Sequence, residues 1–172
     1  MPPKAAKVFS NDNLALVPNQ QKVNNMYRHE YPKRVRYGET DQMGYLYYGQ
    51  YAQYYEIGRV EMLRSLGLTY KEMEEEHGIL MPVVHLEMRF VRPARYDELL
   101  TIRTELRRMP DRFIIFHVEI FNEQGKLVNG GRVRLCFVEE KSGRSILAPS
   151  FLTEKLQPIF QSDKDSADLG ND

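Results

Sequence analysis

Residues 49–66 read GQYAQYYEIGRVEMLRSL and predict a long helix. Apolar side chains recur in this stretch at three- and four-residue intervals, which is the period of a helix with one apolar face. The stripe that we predict from this spacing consists of Ala52, Tyr55, Ile57, Val60, Leu63 and Leu66. Gly67 follows directly, and glycine commonly ends a helix because it adopts the left-handed conformation without strain. This is the one long helix that the sequence predicts.

Strand patterns flank this helix on both sides. Residues 31–37 predict a first strand, and a short helix over residues 69–77 precedes several segments that alternate between apolar and polar residues. The alternating segments cover residues 79–91, 99–109, 113–121 and 127–138. Gly130 and Gly131, inside the last segment, predict a bulge or a close backbone approach. A final short helix is expected over residues 150–160.

Helix and strands are therefore largely segregated along the chain. This order is typical of the α+β class, in which an antiparallel sheet packs against helices on one face. A sheet wrapped around the one long helix is the arrangement that buries the apolar faces of both.

Composition narrows the possible functions. Hydrophobic residues make up 42% of the 172 residues, and 24 Lys and Arg balance 24 Asp and Glu, which argues against a dedicated nucleic-acid binder. The longest unbroken apolar run is four residues, whereas a membrane-spanning helix needs about 20. The single cysteine, Cys136, excludes an intrachain disulfide and is expected to be an inert thiol in the core. Without a secretory signal pattern at the N-terminus, we expect a cytoplasmic protein.

The chain divides into three predicted regions. Residues 1–28 are rich in Asn, Gln, Lys and Pro and predict an N-terminal extension, either flexible or packed as an arm on a partner subunit. Residues 29–161 form the predicted folded domain. Residues 162–172 carry four aspartates against one lysine and predict a disordered acidic tail.

The chemistry is concentrated between the first strand and the long helix. Asp41 follows the strand, Gly44 comes three residues later, and six of the eleven tyrosines lie between residues 45 and 55. This order can place a carboxylate near the start of a helix, where the first N–H groups lack internal partners and carry the positive end of the helix dipole. Such groups can hold a developing oxyanion while the carboxylate attacks or activates water. Taken alone, the spacing favours a turn-capping role for Asp41.

Two motifs extend this segment. They read Tyr37-x-x-Thr40-Asp41-x-x-Gly44-x-x-Tyr47-Tyr48-x-x-Tyr51, continued by Tyr55-Glu56-x-x-Arg59, and Phe90-x-x-Pro93-Ala94-x-x-Asp97. In this order, and beside this pattern of strands and helix, they closely resemble the hot-dog-fold acyl-CoA thioesterases of the 4-hydroxybenzoyl-CoA thioesterase type. The nearest branch is the one that includes the Tol–Pal-associated thioesterases. The resemblance covers residues 31–137.

The resemblance implies both an architecture and a reaction. The fold would be one helix wrapped by an antiparallel sheet, assembled as a dimer or as a dimer of dimers, a homotetramer, with active sites at subunit interfaces. The reaction would hydrolyse an acyl-CoA thioester to a free carboxylic acid and coenzyme A. No metal or other cofactor is implied, because coenzyme A enters as part of the substrate.

The resemblance also implies roles for single residues. Asp41 matches the family's catalytic aspartate, acting as nucleophile or as general base on water. The backbone N–H of Tyr48, at the helix start, would polarise the thioester carbonyl. The expected substrate-binding residues are Gly44, Tyr47, Gly49 and Tyr51. Gly44 would allow the loop its tight path, and Gly49 would let the thioester approach the backbone.

The sequence departs from the family's pattern at two positions and leaves alternatives open. Tyr48 stands where many relatives of the Tol–Pal branch carry His, and Gln50 stands where relatives often carry Asn. The main alternative is a module that binds acyl-CoA or acyl carrier protein without hydrolysis. A dehydratase is a further alternative, but it usually needs a His base, and residues 31–55 contain none.

The remaining polar groups have ordinary structural interpretations. Glu56 is expected to pair with Arg59 on the same helix face, in preference to a catalytic role. The four histidines show no metal-ligand spacing, so no metal site is expected, and His85 and His117 are expected at the surface or at an interface. Six arginines are candidates for the phosphates of coenzyme A, and the sequence does not choose among them. They are Arg89, Arg92, Arg95, Arg103, Arg107 and Arg108.

Overall fold

The computed structural model describes residues 21–23 and 26–161. The predicted acidic tail, and residues 1–20 of the predicted extension, lie outside the described residues. The strands are β1 (Gln21–Val23), β2 (Met26–Arg34), β3 (Ile79–Leu80), β4 (Val83–Phe90), β5 (Leu99–Leu106), β6 (Phe113–Phe121), β7 (Leu127–Glu139) and β8 (Arg144–Ile146). The helices are α1 (Gln50–Ser65), α2 (Tyr70–Glu75) and α3 (Ser150–Phe160).

The strands form one antiparallel sheet. Its order is β1-β2-β5-β6-β7-β3, and β4 and β8 also pair with β7. β8 pairs with residues 137–139 of β7, two of which also pair with β3. β4 runs beside residues 129–135 of β7, and no other strand of the described chain pairs with it. β4 is therefore an edge strand with one unpaired side.

Helix α1 packs against β2, β5 and β6 on the inner face of the sheet. β6 shows the pattern that produces this packing, because its buried residues alternate with half-buried ones. The residues of β6 that point inward and are buried are Ile114, Phe116, Val118 and Ile120. Burial of each such side chain contributes about 1.5–3 kcal/mol to stability. The predicted α+β architecture, an antiparallel sheet around one long helix, is confirmed.

Helix α1 buries a different face from the predicted stripe. Its buried residues are Tyr51, Tyr54, Tyr55, Gly58, Arg59, Met62 and Leu63. Ala52 is exposed, and Val60 is partly buried but, unlike Ile57 and Leu66, is not packed against the core, so the predicted stripe was wrong at these two positions. The tyrosine rings decide the orientation, since they bury the largest apolar areas. Gly58 allows a close approach to the sheet, because a Cβ there would lie 2.4 Å from Thr104 Oγ1.

The first long strand begins earlier than the sequence predicts. β2 starts at Met26 instead of Tyr31, and β1 pairs with its first residues. Residues 21–23 and 26–28, predicted as part of the extension, therefore belong to the sheet. Tyr27 and His29 occupy buried positions of β2, and the Tyr27 hydroxyl hydrogen-bonds Ser65 Oγ at 2.6 Å. Because both residues are polar at one end, they do not form the apolar alternation that would predict a strand.

The other elements lie close to their predicted bounds. β6 and α3 match them, and α1 begins one residue later and ends one residue earlier. The predicted strand over residues 79–91 is divided into β3 and β4 at Pro82, which has no N–H for the ladder. The close approach expected at the paired glycines occurs at Gly131, where a Cβ would lie 2.1 Å from the carbonyl oxygen of Glu87. Among the described helices, none has the length and apolar composition needed to cross a membrane.

Candidate active site

The turn over residues 41–46 holds the carboxylate of Asp41 through backbone groups. Oδ1 of Asp41 accepts hydrogen bonds from the N–H of Met43 at 2.9 Å and of Tyr45 at 3.2 Å. The Asp41 N–H donates to the carbonyl of Tyr45 at 2.9 Å, which closes the turn. Oδ2 has no hydrogen-bond partner among the residues that the structure describes. Asp41 thus caps a turn with one oxygen and leaves the other available for chemistry.

Gly44 gives this turn its path. Its φ is +72°, in the left-handed region that glycine adopts without steric cost, and its N–H donates to the Asp41 carbonyl at 2.9 Å. The expected role of Gly44 in a tight loop agrees with this conformation.

Helix α1 begins directly after the turn. The Gln50 N–H donates to the carbonyl of Tyr47 at 2.9 Å, and Gly49 is the N-cap residue without a side-chain cap. Within the described chain, the N–H groups of Tyr48 and Gly49 have no hydrogen-bond acceptor. These free donors lie at the positive end of the helix dipole, which suits the stabilisation of an oxyanion.

The tyrosines predicted near the site divide between the surface and the core. Tyr47 and Tyr48 are 42% and 66% exposed, and their ring centroids are 4.5 Å apart. Interaction with the Tyr48 hydroxyl raises the pKa of Tyr47 above its ordinary value. Gly49 carries no side chain where the Tyr47 ring lies, since a Cβ there would be 2.6 Å from Tyr47 Cε1. The structure therefore gives Gly49 a packing role, and its expected role toward the thioester stays a prediction.

Tyr51, predicted to bind substrate, is only 3% exposed in the described chain. Its ring meets that of Phe90 edge-on at 5.3 Å, and Phe90 is 53% exposed at the end of β4. Burial, followed by the nearby charge of Glu98, raises the pKa of Tyr51 to about 12. Tyr51 therefore remains a neutral phenol that joins the start of α1 to the edge strand.

Glu39 anchors the turn to the helix and was not identified from the sequence. Its carboxylate accepts hydrogen bonds from Lys33 Nζ at 2.8 Å, from the Tyr54 hydroxyl at 2.7 Å and from the Arg36 N–H at 2.6 Å. Although partial burial opposes ionisation, the bond from Lys33 and the other donors lower the pKa of Glu39. The signal in the sequence is weak, because the partners lie three, six and fifteen residues away.

A second segment supports the turn from the other side. The Leu46 N–H donates to the carbonyl of Ala94 at 2.8 Å, and Tyr45 pairs with Arg95 as an isolated β-bridge. The Arg95 guanidinium lies over the Tyr45 ring, 4.8 Å from its centroid. The second sequence motif, which contains Pro93 and Ala94, thus lies against the first.

Several predictions for groups outside the turn were wrong. Glu56 is exposed and forms no ion pair with Arg59 in the described chain; Arg59 instead donates to the Tyr70 hydroxyl and lies over its ring. Cys136 does not lie in the core but is half-buried on the outer face of the sheet. Successive residues of a strand point to opposite faces, and the neighbours of Cys136, Leu135 and Phe137, are the ones that point into the core.

The histidines occupy different environments, and two of them lie beside acids. His85 is on the surface with Glu87 at 3.5 Å. His77, with Glu72 and Glu76, brings its ligand atom to within 4.8 Å of the two carboxylates, a grouping that the sequence analysis did not foresee. Glu76 and His77 are exposed, and exposed acidic groups often cluster in this way without an ion.

Comparison with known proteins gives the family. Residues 43–129 match the Thioesterase superfamily, and the chain belongs to this family. YbgC of Escherichia coli, named an acyl-CoA thioester hydrolase, is 31% identical over 109 residues, which are 63% of this chain and 81% of YbgC. The 1,4-dihydroxy-2-naphthoyl-CoA hydrolase of Synechococcus elongatus is 25% identical over 134 residues, which are 77% of this chain and 97% of that protein.

A solved structure supports the same assignment. The DHNA-CoA thioesterase from Staphylococcus aureus superposes with a TM-score of 0.70 at 26% identity, and the match covers 84% of this chain and 96% of that one. The predicted hot-dog fold is confirmed, and the protein is a thioester hydrolase. Asp41 lies two residues before the range matched to the family, so its role is argued from the geometry of the turn.

Proposed function

We propose that this enzyme hydrolyses acyl-CoA thioesters to free carboxylic acids and coenzyme A, with Asp41 as the essential carboxylate. The observation that carries this proposal is the geometry of the turn. One oxygen of Asp41 is fixed by two N–H groups, and the other has no partner in the described chain. The free N–H groups at the start of α1 follow seven and eight residues later. Names of relatives that include acyl-CoA thioester hydrolase support the same substrate class.

Two routes use this geometry. In one, Oδ2 of Asp41 attacks the thioester carbonyl and expels the coenzyme A thiolate, and water then hydrolyses the mixed anhydride. In the other, the carboxylate takes a proton from water, which attacks the carbonyl directly. In both, the Tyr48 N–H and the helix dipole would stabilise the oxyanion, and water supplies the oxygen of the acid and the proton of the thiol.

The proposal needs no metal or separate cofactor, since a carboxylate, water and backbone donors supply each step. Within the family, we propose that the enzyme belongs to the 4-hydroxybenzoyl-CoA thioesterase type, in the branch that includes the Tol–Pal-associated thioesterases. The names of the 1,4-dihydroxy-2-naphthoyl-CoA hydrolase of Synechococcus elongatus and of the DHNA-CoA thioesterase from Staphylococcus aureus support an aromatic acyl group. Short and long aliphatic acyl groups remain alternatives that a substrate panel separates.

We further propose that the enzyme is a homodimer, or a dimer of such dimers, joined through β4. All but one of the residues of β4 are exposed, although apolar and polar residues alternate along the strand. The apolar side of β4 carries Val84, Leu86, Met88 and Phe90. An unpaired apolar edge strand of eight residues is a template for a second strand. Because Phe90 contacts Tyr51 at the start of α1, a partner at this edge would complete the wall of the site.

The first experiment measures thiol release from short-chain, long-chain, benzoyl-type and naphthoyl-type acyl-CoA thioesters. We expect turnover by the wild type and a loss of about 10²–10⁴ in kcat for Asp41→Asn, with little change in KM. Asp111→Asn is the matched control, because Oδ1 of Asp111 also caps a turn by accepting the N–H two residues on, from Phe113 at 2.9 Å.

The outcomes separate the parts of the proposal. Equal rates for Asp41→Asn and wild type would remove Asp41 from the mechanism. A comparable loss in Asp111→Asn would show that the effect comes from general damage to turns. Binding of acyl-CoA without thiol release by the wild type would favour a binding module instead of this hydrolytic function.

The second experiment places a charge on the edge strand. We expect Leu86→Arg to lower the oligomer size in sedimentation velocity and to reduce activity with it. Leu147→Arg, at another exposed leucine, is the control and should keep the wild-type size. An unchanged size for Leu86→Arg would place the interface elsewhere.

A further inference from the structure

The segment over residues 93–98 forms a platform beneath the turn that carries Asp41. Ala94 is fully buried, and its carbonyl accepts the N–H of Leu46 at 2.8 Å. The next residue, Arg95, pairs with Tyr45 as a β-bridge. Two consecutive residues of the platform therefore hold two consecutive residues of the turn.

The platform is itself fixed by the end of β2. Asp97 has a φ of +67°, a left-handed conformation that is uncommon outside glycine. Its N–H donates to the carbonyl of Val35 at 3.1 Å, and the Val35 N–H donates to the carbonyl of Glu98 at 3.0 Å. Arg34 pairs with the Asp97 carboxylate at 3.5 Å. A strained residue persists where surrounding contacts determine its conformation, as they do here.

Arg95 is the side chain of the platform that reaches the turn. Its guanidinium lies 4.8 Å from the centroid of the Tyr45 ring, and Nη1 lies 4.0 Å from the position that a Cβ on Gly44 would occupy. Arg103 and Arg107, two other candidates for phosphate binding, are engaged in ion pairs with Glu30 and Glu105. No acid of the described chain pairs with Arg95, so the aromatic ring is what orients its guanidinium.

Tyr45 connects this contact to the carboxylate. The N–H of Tyr45 donates to Oδ1 of Asp41, and the carbonyl of Tyr45 accepts the N–H of Asp41. A displacement of Tyr45 therefore moves both backbone groups that tie the ends of the turn together. Gly44, next to Tyr45, has no side chain to restrain the chain there.

We propose that Arg95 is a positioning residue, which holds the Tyr45 ring and thereby keeps the Asp41 carboxylate in its reactive orientation. The inference rests on the proposed function of Asp41 and gives the second sequence motif a role in the same site. A cation over an aromatic ring at an exposed position corresponds to a factor of about two to five in rate. We expect an effect of this size in kcat.

The test is a double-mutant cycle with Arg95→Met, Tyr45→Leu and the combined variant, assayed for kcat and KM on the best acyl-CoA of the panel. Each single variant should lower kcat about two- to fivefold with KM unchanged, and the combined variant should lose no more than either alone. Tyr45→Phe keeps the ring and should keep most of the activity. Arg112→Met, at an exposed arginine in another turn, should match the wild type.

A truncated substrate separates positioning from phosphate binding. The same acyl group is assayed on N-acetylcysteamine, which carries the thioester without the nucleotide or its phosphates. A positioning role requires the same fold-loss in kcat on both thioesters. A loss confined to KM for acyl-CoA would overturn it and would make Arg95 a phosphate ligand.

The remaining outcomes distinguish the two proposals. If the wild type is active and Asp41→Asn is not, losses in kcat that multiply in the combined variant would overturn the role of Arg95 and leave the proposed function standing. An inactive wild type, or an active Asp41→Asn, would instead overturn the proposed function. Thermal unfolding of each variant is measured in parallel, and Arg95→Met at the wild-type melting temperature with reduced kcat supports positioning over a loss of folding.

Discussion

The turn over residues 41–46, extended by residues 47–49, directly precedes helix α1, but the two regions are held in different ways. The turn is largely exposed, and its conformation comes from backbone hydrogen bonds and one left-handed glycine. The helix is held by burial of its tyrosine face against the sheet. The Asp41 carboxylate is therefore positioned by groups that contribute little to the core, so substitutions in the two regions should have separable effects.

The tyrosines make this contrast within one residue type. Tyr47 and Tyr48 lie on the surface, whereas Tyr54 and Tyr55 are fully buried and donate their hydroxyls to Glu39 at 2.7 Å and Asn129 at 2.6 Å. Burial raises the pKa of both buried phenols, which therefore remain protonated donors. Helix substitutions should thus change stability, and turn substitutions should change rate.

The largest effect on stability is expected at Leu63, which is fully buried in α1. Leu63→Ala removes buried methyl groups and leaves a cavity, so the free energy of unfolding should fall by about 2–5 kcal/mol. Urea denaturation measures this change, with exposed Leu147→Ala as the control. A fall in kcat of the folded variant comparable to that of Asp41→Asn would break the separation between helix and turn.

Tyr55→Phe should have the next largest effect. It removes the donor to Asn129 Oδ1, and Asn129 Nδ2 already has no partner in the described chain. A buried amide left without hydrogen bonds costs about 1–3 kcal/mol, measured as a lower free energy of unfolding. Tyr48→Phe on the exposed side should stay within about 0.5 kcal/mol of the wild type. Equal losses in the two variants would contradict the contrast between buried and exposed tyrosines.

Gly44→Ala tests the turn side of the comparison. Its φ of +72° imposes a strain of about 1–2 kcal/mol on alanine, although a Cβ there meets nothing closer than 4.0 Å. Because the turn relaxes instead of the core, we expect the loss to appear mainly in kcat from the thiol-release assay. Gly38→Ala, with nothing within 4 Å of the added Cβ, is the matched control. Full activity in Gly44→Ala would remove the conformational role of this glycine.

The smallest expected effect is the contribution of His29, in strand β2, to the pH dependence of the free energy of unfolding. His29 is buried in β2, and burial lowers its pKa below 6.5 against the opposing charges of Glu61 and Glu30. The unfolded chain therefore binds more protons below about pH 6.5, and the free energy of unfolding should decrease as pH falls through this range, by at most about 1.4 kcal/mol per pH unit.

Urea denaturation at several pH values between 5 and 8 gives the slope of the free energy of unfolding against pH for the wild type and for each variant. His29→Gln should flatten the decrease, leaving the part due to His117, whose pKa burial also lowers. An unchanged slope in His29→Gln would show that other groups carry the dependence.

Local patterns predicted the elements well, and they placed Asp41 in a turn between the first strand and the long helix, where the structure has it. The alternation of β6 and the bounds of α3 follow from contacts within each segment, and both match the structure. The start of β2 was missed because Tyr27 and His29 fill buried positions with polar residues. The face of α1 was displaced because the sheet, and not the helix alone, decides which tyrosines are covered.

Contacts across long sequence separations could not be predicted in this way. The turn at Asp41 meets Ala94 and Arg95 some fifty residues later, and nothing in either segment specifies that pairing locally. The resemblance to a family identified both motifs in the sequence, but only the folded structure shows that they contact each other. The roles of Asp41 and Tyr48 remain predictions that the experiments above test.

Gly131 has a consequence for how this protein can be modified. The backbone of β4 passes so close to it that any side chain would force the edge strand away from β7. The position of the outermost strand is therefore governed by a residue on the strand behind it. A substitution at Gly131 would therefore alter what β4 presents to another molecule while every residue on β4 stays the same.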